Sequence, residues 1–100
     1  MSLTAIDISP RKLENFCRRN FIRRLSFFGS VVRDDFSPLS DVDVLVEFEP
    51  GHIPGFNFFL MEEELSRLLG RKVDLQTIHF LSPDIRSNVL NEAIVAYEQT

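Results

Sequence analysis

Phe28-Gly29-Ser30-Val31-Val32-Arg33-Asp34-Asp35-Phe36-Ser37-Pro38-Leu39-Ser40-Asp41-Val42-Asp43-Val44-Leu45-Val46-Glu47-Phe48 holds a glycine turn and an acid-headed strand, which together set the fold. From Asp41 onward, branched residues alternate with polar ones at a period of two, the pattern of a half-buried strand. Alternate side chains of a strand share a face, so Asp41 and Asp43 project the same way, roughly 6–7 Å apart along the backbone. Val42, Val44, Val46 and Phe48 take the opposite face, toward a core. Two carboxylates aimed at one spot repel each other unless a cation stands between them, and a hard divalent ion such as Mg²⁺ suits that need. Upstream, Arg24-Leu25-Ser26-Phe27-Phe28 reads as a second strand, within 22–28, that runs into Gly29-Ser30. Glycine there lets the backbone come close to a ligand, and the amides that follow can open a helix N-terminus suited to phosphate. A phosphate cradle facing an acid pair points to phosphoryl or nucleotidyl transfer.

Length and composition limit the alternatives. One hundred residues, 44% of them hydrophobic, suit one ordinary domain spanning 1–100 and argue against disorder. No apolar run approaches the ~20 residues that a membrane span requires, and the N-terminus lacks a signal-peptide pattern. Cys17 is the only cysteine, which rules out an internal disulfide and favours a reducing cytoplasm. Its expected role is a small, partly buried residue on a helix. His52 and His79 have no companions at zinc-ligand spacing and read as surface residues. The net charge of −4 hides a cluster, because seven of the eleven basic residues lie between Arg11 and Arg33. That cluster is either a solvated helix face or a docking surface for a negative partner, with Arg18 to Arg24 as its centre. A mildly acidic chain is a poor candidate for direct nucleic-acid binding.

Along the chain, Ser9-Pro10 opens a first helix over about 10–20, with Leu13, Phe16 and Cys17 as its apolar stripe. Gly29-Ser30 turns into a short helix reaching about Asp35, and Ser37 to Ser40 form a connecting loop. A breaker-rich loop over 49–55 leads to an amphipathic helix over 57–69, closed by Gly70, with Glu62, Glu63 and Glu64 on its wet face. Lys72 to Thr77 is a third strand, with Val73 and Leu75 on one face and Asp74 on the other. Ser82-Pro83-Asp84 caps a final helix carrying Ile85, Val89, Ala93 and Tyr97 on one stripe.

The joint pattern Gly29-Ser30, ten residues, Asp41-x-Asp43 resembles the signature of the DNA polymerase β-like nucleotidyltransferase superfamily. The stretch Phe28 to Phe48, with Leu69-Gly-Arg-Lys-Val-Asp-Leu75, is similar to its minimal nucleotidyltransferase (MNT) branch, and the likeness spans nearly the whole chain. It implies an α/β (α+β) nucleotidyltransferase fold, a small mixed central sheet with helices packed on one face. It also implies a third carboxylate on the later strand, for which Asp74 is the candidate. Asp41, Asp43 and Asp74 would then be the catalytic and metal-holding residues, for two Mg²⁺ ions. Gly29 and Ser30 would hold the nucleotide phosphates, ATP being the substrate. Arg33, one helical turn beyond Ser30, is within reach either of those phosphates or of a salt bridge to Asp34 or Asp35.

MNT proteins typically act as antitoxins encoded beside a HEPN-domain ribonuclease toxin, transferring AMP from ATP to a toxin tyrosine. The resemblance therefore implies a HEPN toxin as acceptor and partner in a hetero-complex, with an oligomer as a further option. Two alternatives stay open: a binding module that neutralises the toxin by occlusion, and a nucleotidyltransferase acting on a small molecule or RNA.

Overall fold

The computed structural model describes residues 8–32, 41–52, 55–78 and 81–99. Arg33 and the segment 33–40 lie outside them, as does His79, so the expectations for Arg33, for the extension of the turn to Asp35 and for the 37–40 loop fall beyond the description.

The described elements run α1 (Pro10–Arg19), β1 (Ile22–Phe28), a 3₁₀ turn (Gly29–Val32), β2 (Val42–Phe48), α2 (Asn57–Leu69), β3 (Val73–Thr77), α3 (Pro83–Glu92) and β4 (Ile94–Glu98). The four strands form one mixed sheet in the order β3-β2-β1-β4. β1 is antiparallel to both β2 and β4, while β2 and β3 are parallel neighbours joined through α2.

One sheet face carries the main core. Ile22, Leu25 and Phe27 of β1, Val42, Val44 and Val46 of β2, and Val73 and Leu75 of β3 are buried with Leu13, Phe16 and Cys17 of α1 and Met61, Leu65 and Leu69 of α2. The strict alternation of β2 explains this, since its even-numbered residues all point to that face. α1 and α2 therefore cover one face, but the expectation that the helices all pack there does not hold for α3. α3 lies over the opposite face, where Val89 packs on Phe28 and Leu45 in a small second cluster. That is the face to which Asp43 and Asp74 belong.

The C-terminal segment corrects an expectation. The last helix does not continue to Tyr97; it stops at Glu92, and Ile94–Glu98 form a fourth strand on β1. Ile85 is 54% exposed, and Val89 is the only buried residue of α3, so no apolar helical stripe runs through Ala93 and Tyr97. The β-branched Ile94 and Val95 favour an extended chain, and the free edge of β1 offers them backbone partners. Ser9 occupies the N-cap position of α1, without a side-chain cap bond. Ser82 does cap α3, its hydroxyl accepting the Ile85 amide at 3.5 Å. Gly70 ends α2 at φ +68°, with the Arg71 amide returning to the Ser66 carbonyl at 3.2 Å.

Candidate active site

The parallel register of β2 and β3 places Asp43 directly opposite Asp74. Adjacent strands run about 4.8 Å apart, and equal pleat phase points both side chains to the same face. On the other side of β2, Asp43 pairs with Phe28, the last residue of β1. Gly29 follows at once, buried and at φ +73°. A Cβ there would overlap Oδ2 of Asp43 and stand 3.0 Å from its Cγ, so only glycine lets the turn and the carboxylate meet. Three positions singled out from sequence, Gly29, Asp43 and Asp74, thus fall side by side at one end of the sheet.

Asp41 sits just before β2, and its Oδ2 lies 3.9 Å from Nζ of Lys72, the residue before β3. Asp74 accepts a hydrogen bond from Nε2 of Gln76 at 3.0 Å. Ser30 is half-buried in the 3₁₀ turn. That turn is only four residues long, so any anion it binds depends on individual amides and the Ser30 hydroxyl rather than on a helix macrodipole.

The donor set suits a hard cation, because Asp41, Asp43 and Asp74 offer only carboxylate oxygens. Among the described residues, no three His, Cys, Asp or Glu side chains come together as a ready-made metal cage. For Mg²⁺ this is no misfit, since that ion is usually held by one or two carboxylates together with substrate phosphates.

Sequence reasoning missed the residues that hold this corner in place. β3 is an edge strand, and α2 satisfies its outward amides: the Ser66 hydroxyl accepts the Val73 N–H at 3.0 Å, and Oε2 of Glu62 accepts the Leu75 N–H at 2.9 Å. The two bonds flank Asp74. Glu62 therefore does not belong to a merely wet helix face. The spacing of Glu62 and Ser66, one helical turn apart, was the available signal. At the glycine turn, Oε1 of Glu92 accepts the Gly29 N–H at 3.1 Å.

The basic segment is largely neutralised within the chain. Arg18 pairs with Glu14, Arg19 with Glu64, Arg23 with Glu47, and Arg24 with both Glu47 and Glu98. Such exposed pairs contribute little stability, but they leave those arginines less available to an outside anion. His52 is exposed, as expected, and stacks on Phe21 with ring centroids 4.1 Å apart. Cys17 is buried, and desolvation pushes its thiol up to about 12, which leaves it no nucleophilic role.

Known proteins resemble this chain over most of its length. The family described as nucleotidyltransferase domain matches residues 10–96. MJ0435 of Methanocaldococcus jannaschii, named as a candidate protein adenylyltransferase, is 33% identical over 89 residues, covering 89% of this chain and 95% of the relative. The protein adenylyltransferase MntA of Thermococcus cleftensis is 42% identical over 74 residues, 73% of each chain. Among solved structures, one described as a candidate minimal nucleotidyltransferase superposes with a TM-score of 0.72 at 35% identity, over 85% of this chain and 86% of that one. A complex of a tri-AMPylated Shewanella oneidensis HEPN toxin with MNT antitoxin gives a TM-score of 0.65 at 18% identity, over 90% and 70% of the chains, a likeness of fold.

Proposed function

Because this chain belongs to the nucleotidyltransferase domain family and is a nucleotidyltransferase, we propose that it is an antitoxin that transfers AMP from ATP to a tyrosine hydroxyl of a HEPN-domain ribonuclease toxin. The observation that carries this reading is the Asp43–Asp74 register beside Gly29. Relatives named as protein adenylyltransferases support protein as the acceptor, and the AMPylated HEPN toxin bound to MNT antitoxin supports the kind of partner.

In this reading the Ser30 hydroxyl and the amides after Gly29 bind the β- and γ-phosphates and point the α-phosphate toward Asp43. Asp41, Asp43 and Asp74 would hold Mg²⁺, which when bound screens the phosphate charge and that of the leaving pyrophosphate. Asp74 lies next to Asp43 on the strand edge nearest α2 and accepts the proton of the incoming tyrosine hydroxyl. A new bond joins the tyrosine oxygen to the α-phosphorus, the bond from that phosphorus to the β-bridging oxygen breaks, and pyrophosphate leaves. Asp43 and Gly29 pack against each other, which fixes the nucleotide relative to the acids before the acceptor arrives. Arg33 is a further candidate for the phosphates. Residues 1–100 act together as one domain, and the toxin itself presents the acceptor.

The test is incubation of the HEPN toxin with a sub-stoichiometric amount of this protein, ATP and Mg²⁺, followed by intact mass measurement. Each transferred group should add about 329 Da to the toxin, with many toxins modified per antitoxin. Neutralisation that needs equimolar protein and no ATP would replace transfer by occlusion.

A further inference from the structure

We infer that Glu92 is the positioning residue of the glycine turn: its side chain, supplied from the end of α3, holds the Gly29 amide so that the next residues can receive the nucleotide phosphates. This inference rests on the proposed nucleotide transfer.

The ladder between β1 and β4 stops short of the glycine turn. β1 and β4 pair as far as Phe27 opposite Ile94. Two residues beyond Phe27, and two residues back from Ile94, stand Gly29 and Glu92, which an antiparallel ladder would set opposite each other. Glu92 is instead the last residue of α3, and its backbone is helical. The Gly29 N–H is thus left at a buried position beyond the end of the sheet, where an amide requires an acceptor. Oε1 of Glu92 fills the place of the missing main-chain carbonyl at 3.1 Å.

The consequence is directional. On one side of Gly29 lies the Asp43 carboxylate, against the glycine Cα; at its amide lies Glu92. With its amide engaged and its Cα abutted, Gly29 is held at φ +73° from two sides, and the Ser30 and Val31 amides follow in a fixed orientation. A carboxylate at the Gly29 amide also keeps a phosphate off that amide, which leaves the later ones as the anion's place. α3 therefore contributes to the nucleotide end of the site, although it carries none of the three acids.

Three proteins decide the matter: wild type, Glu92→Ala and Glu92→Gln, the last keeping an amide oxygen as acceptor. Hydrogen exchange of the Gly29 amide by NMR reads the contact, and calorimetric titration with ATP and Mg²⁺ reads its consequence. We expect Gly29 exchange at least tenfold faster and ATP affinity at least tenfold weaker in Glu92→Ala, with Glu92→Gln restoring both to within threefold. In a transfer assay the Ala variant should raise KM for ATP more than it lowers kcat. Unaltered Gly29 exchange in a folded Glu92→Ala protein, or undiminished ATP affinity, would overturn the inference. Wild-type protein that binds no ATP would instead sink the nucleotide reading, and the exchange measurement would still decide whether Glu92 holds the turn.

Discussion

The carboxylate of Asp43 packs so closely on the bare Cα of Gly29 that a methyl group there would overlap Oδ2 and stand 3.0 Å from Cγ. Gly29→Ala meets two obstacles at once, the φ of +73° and the displaced carboxylate. A positive φ costs an L-residue about 1–2 kcal/mol. The variant should lose about that much in urea unfolding while nucleotidyl transfer falls far more, by about 100-fold, because Asp43 must move. Transfer within threefold of wild type would separate the glycine from the acid.

Replacing Asp43 or Asp74 by Asn tests the register itself. The two carboxylates are cross-strand neighbours, so without a cation their charges oppose each other. Each single Asn variant should therefore be as stable as wild type or more so in chelator, while transfer falls by two or more orders of magnitude. Transfer by the wild-type protein should likewise disappear in excess EDTA. Activity that survives both chelation and Asp43→Asn would exclude these acids as the metal-holding pair.

Burial of Cys17 predicts a slope of stability with pH. The folded thiol is raised from 9.0 to about 12 by desolvation, so between those values the unfolded chain loses a proton that the folded chain keeps. The contribution is fully present below about pH 9 and is lost as pH rises toward 12, at up to about 1.4 kcal/mol per pH unit. Urea titrations at pH 8.5 and 10.5 should show this loss in wild type and a smaller one in Cys17→Ala. Equal slopes in the two proteins would mean that the thiol is not protected by burial.

Much of this was legible in the sequence because the signals were periodic. The alternation of Val42, Val44 and Val46 against Asp43 gave β2 its faces, and Pro10 and Gly70 marked helix ends that the structure places where expected. β4 was not legible, since Glu92-Ala-Ile-Val-Ala-Tyr97 also fits a helical stripe. Its extended form depends on the open edge of β1, a partner more than sixty residues away in sequence. The same non-locality hid Glu62 and Glu92, whose roles as acceptors appear only once β3 and β1 are set beside their helices. The arginines from Arg18 to Arg24 look alike in sequence, yet their carboxylate partners come from α1, α2, β2 and β4.

Asp74 is flanked by two amides that α2 holds, so the place of its carboxylate depends on side chains of another element. Loss of the Glu62 acceptor strands the Leu75 N–H, and loss of the Ser66 hydroxyl strands that of Val73. An edge strand released at both points can shift relative to β2, which would carry Asp74 away from Asp43. Glu62→Ala and Ser66→Ala should each cost about 1–2 kcal/mol of stability, the ordinary loss for a stranded hydrogen-bonding group. The double variant should lower kcat about tenfold or more at a temperature where it remains folded, with KM for ATP much less affected, because the glycine turn lies on the far side of β2. Glu62→Gln, which still offers an oxygen to Leu75, should recover most of the rate. Should kcat hold in the double variant while stability falls, the clamp would be a fold contact alone, and Asp74 would owe its place to the β2–β3 ladder.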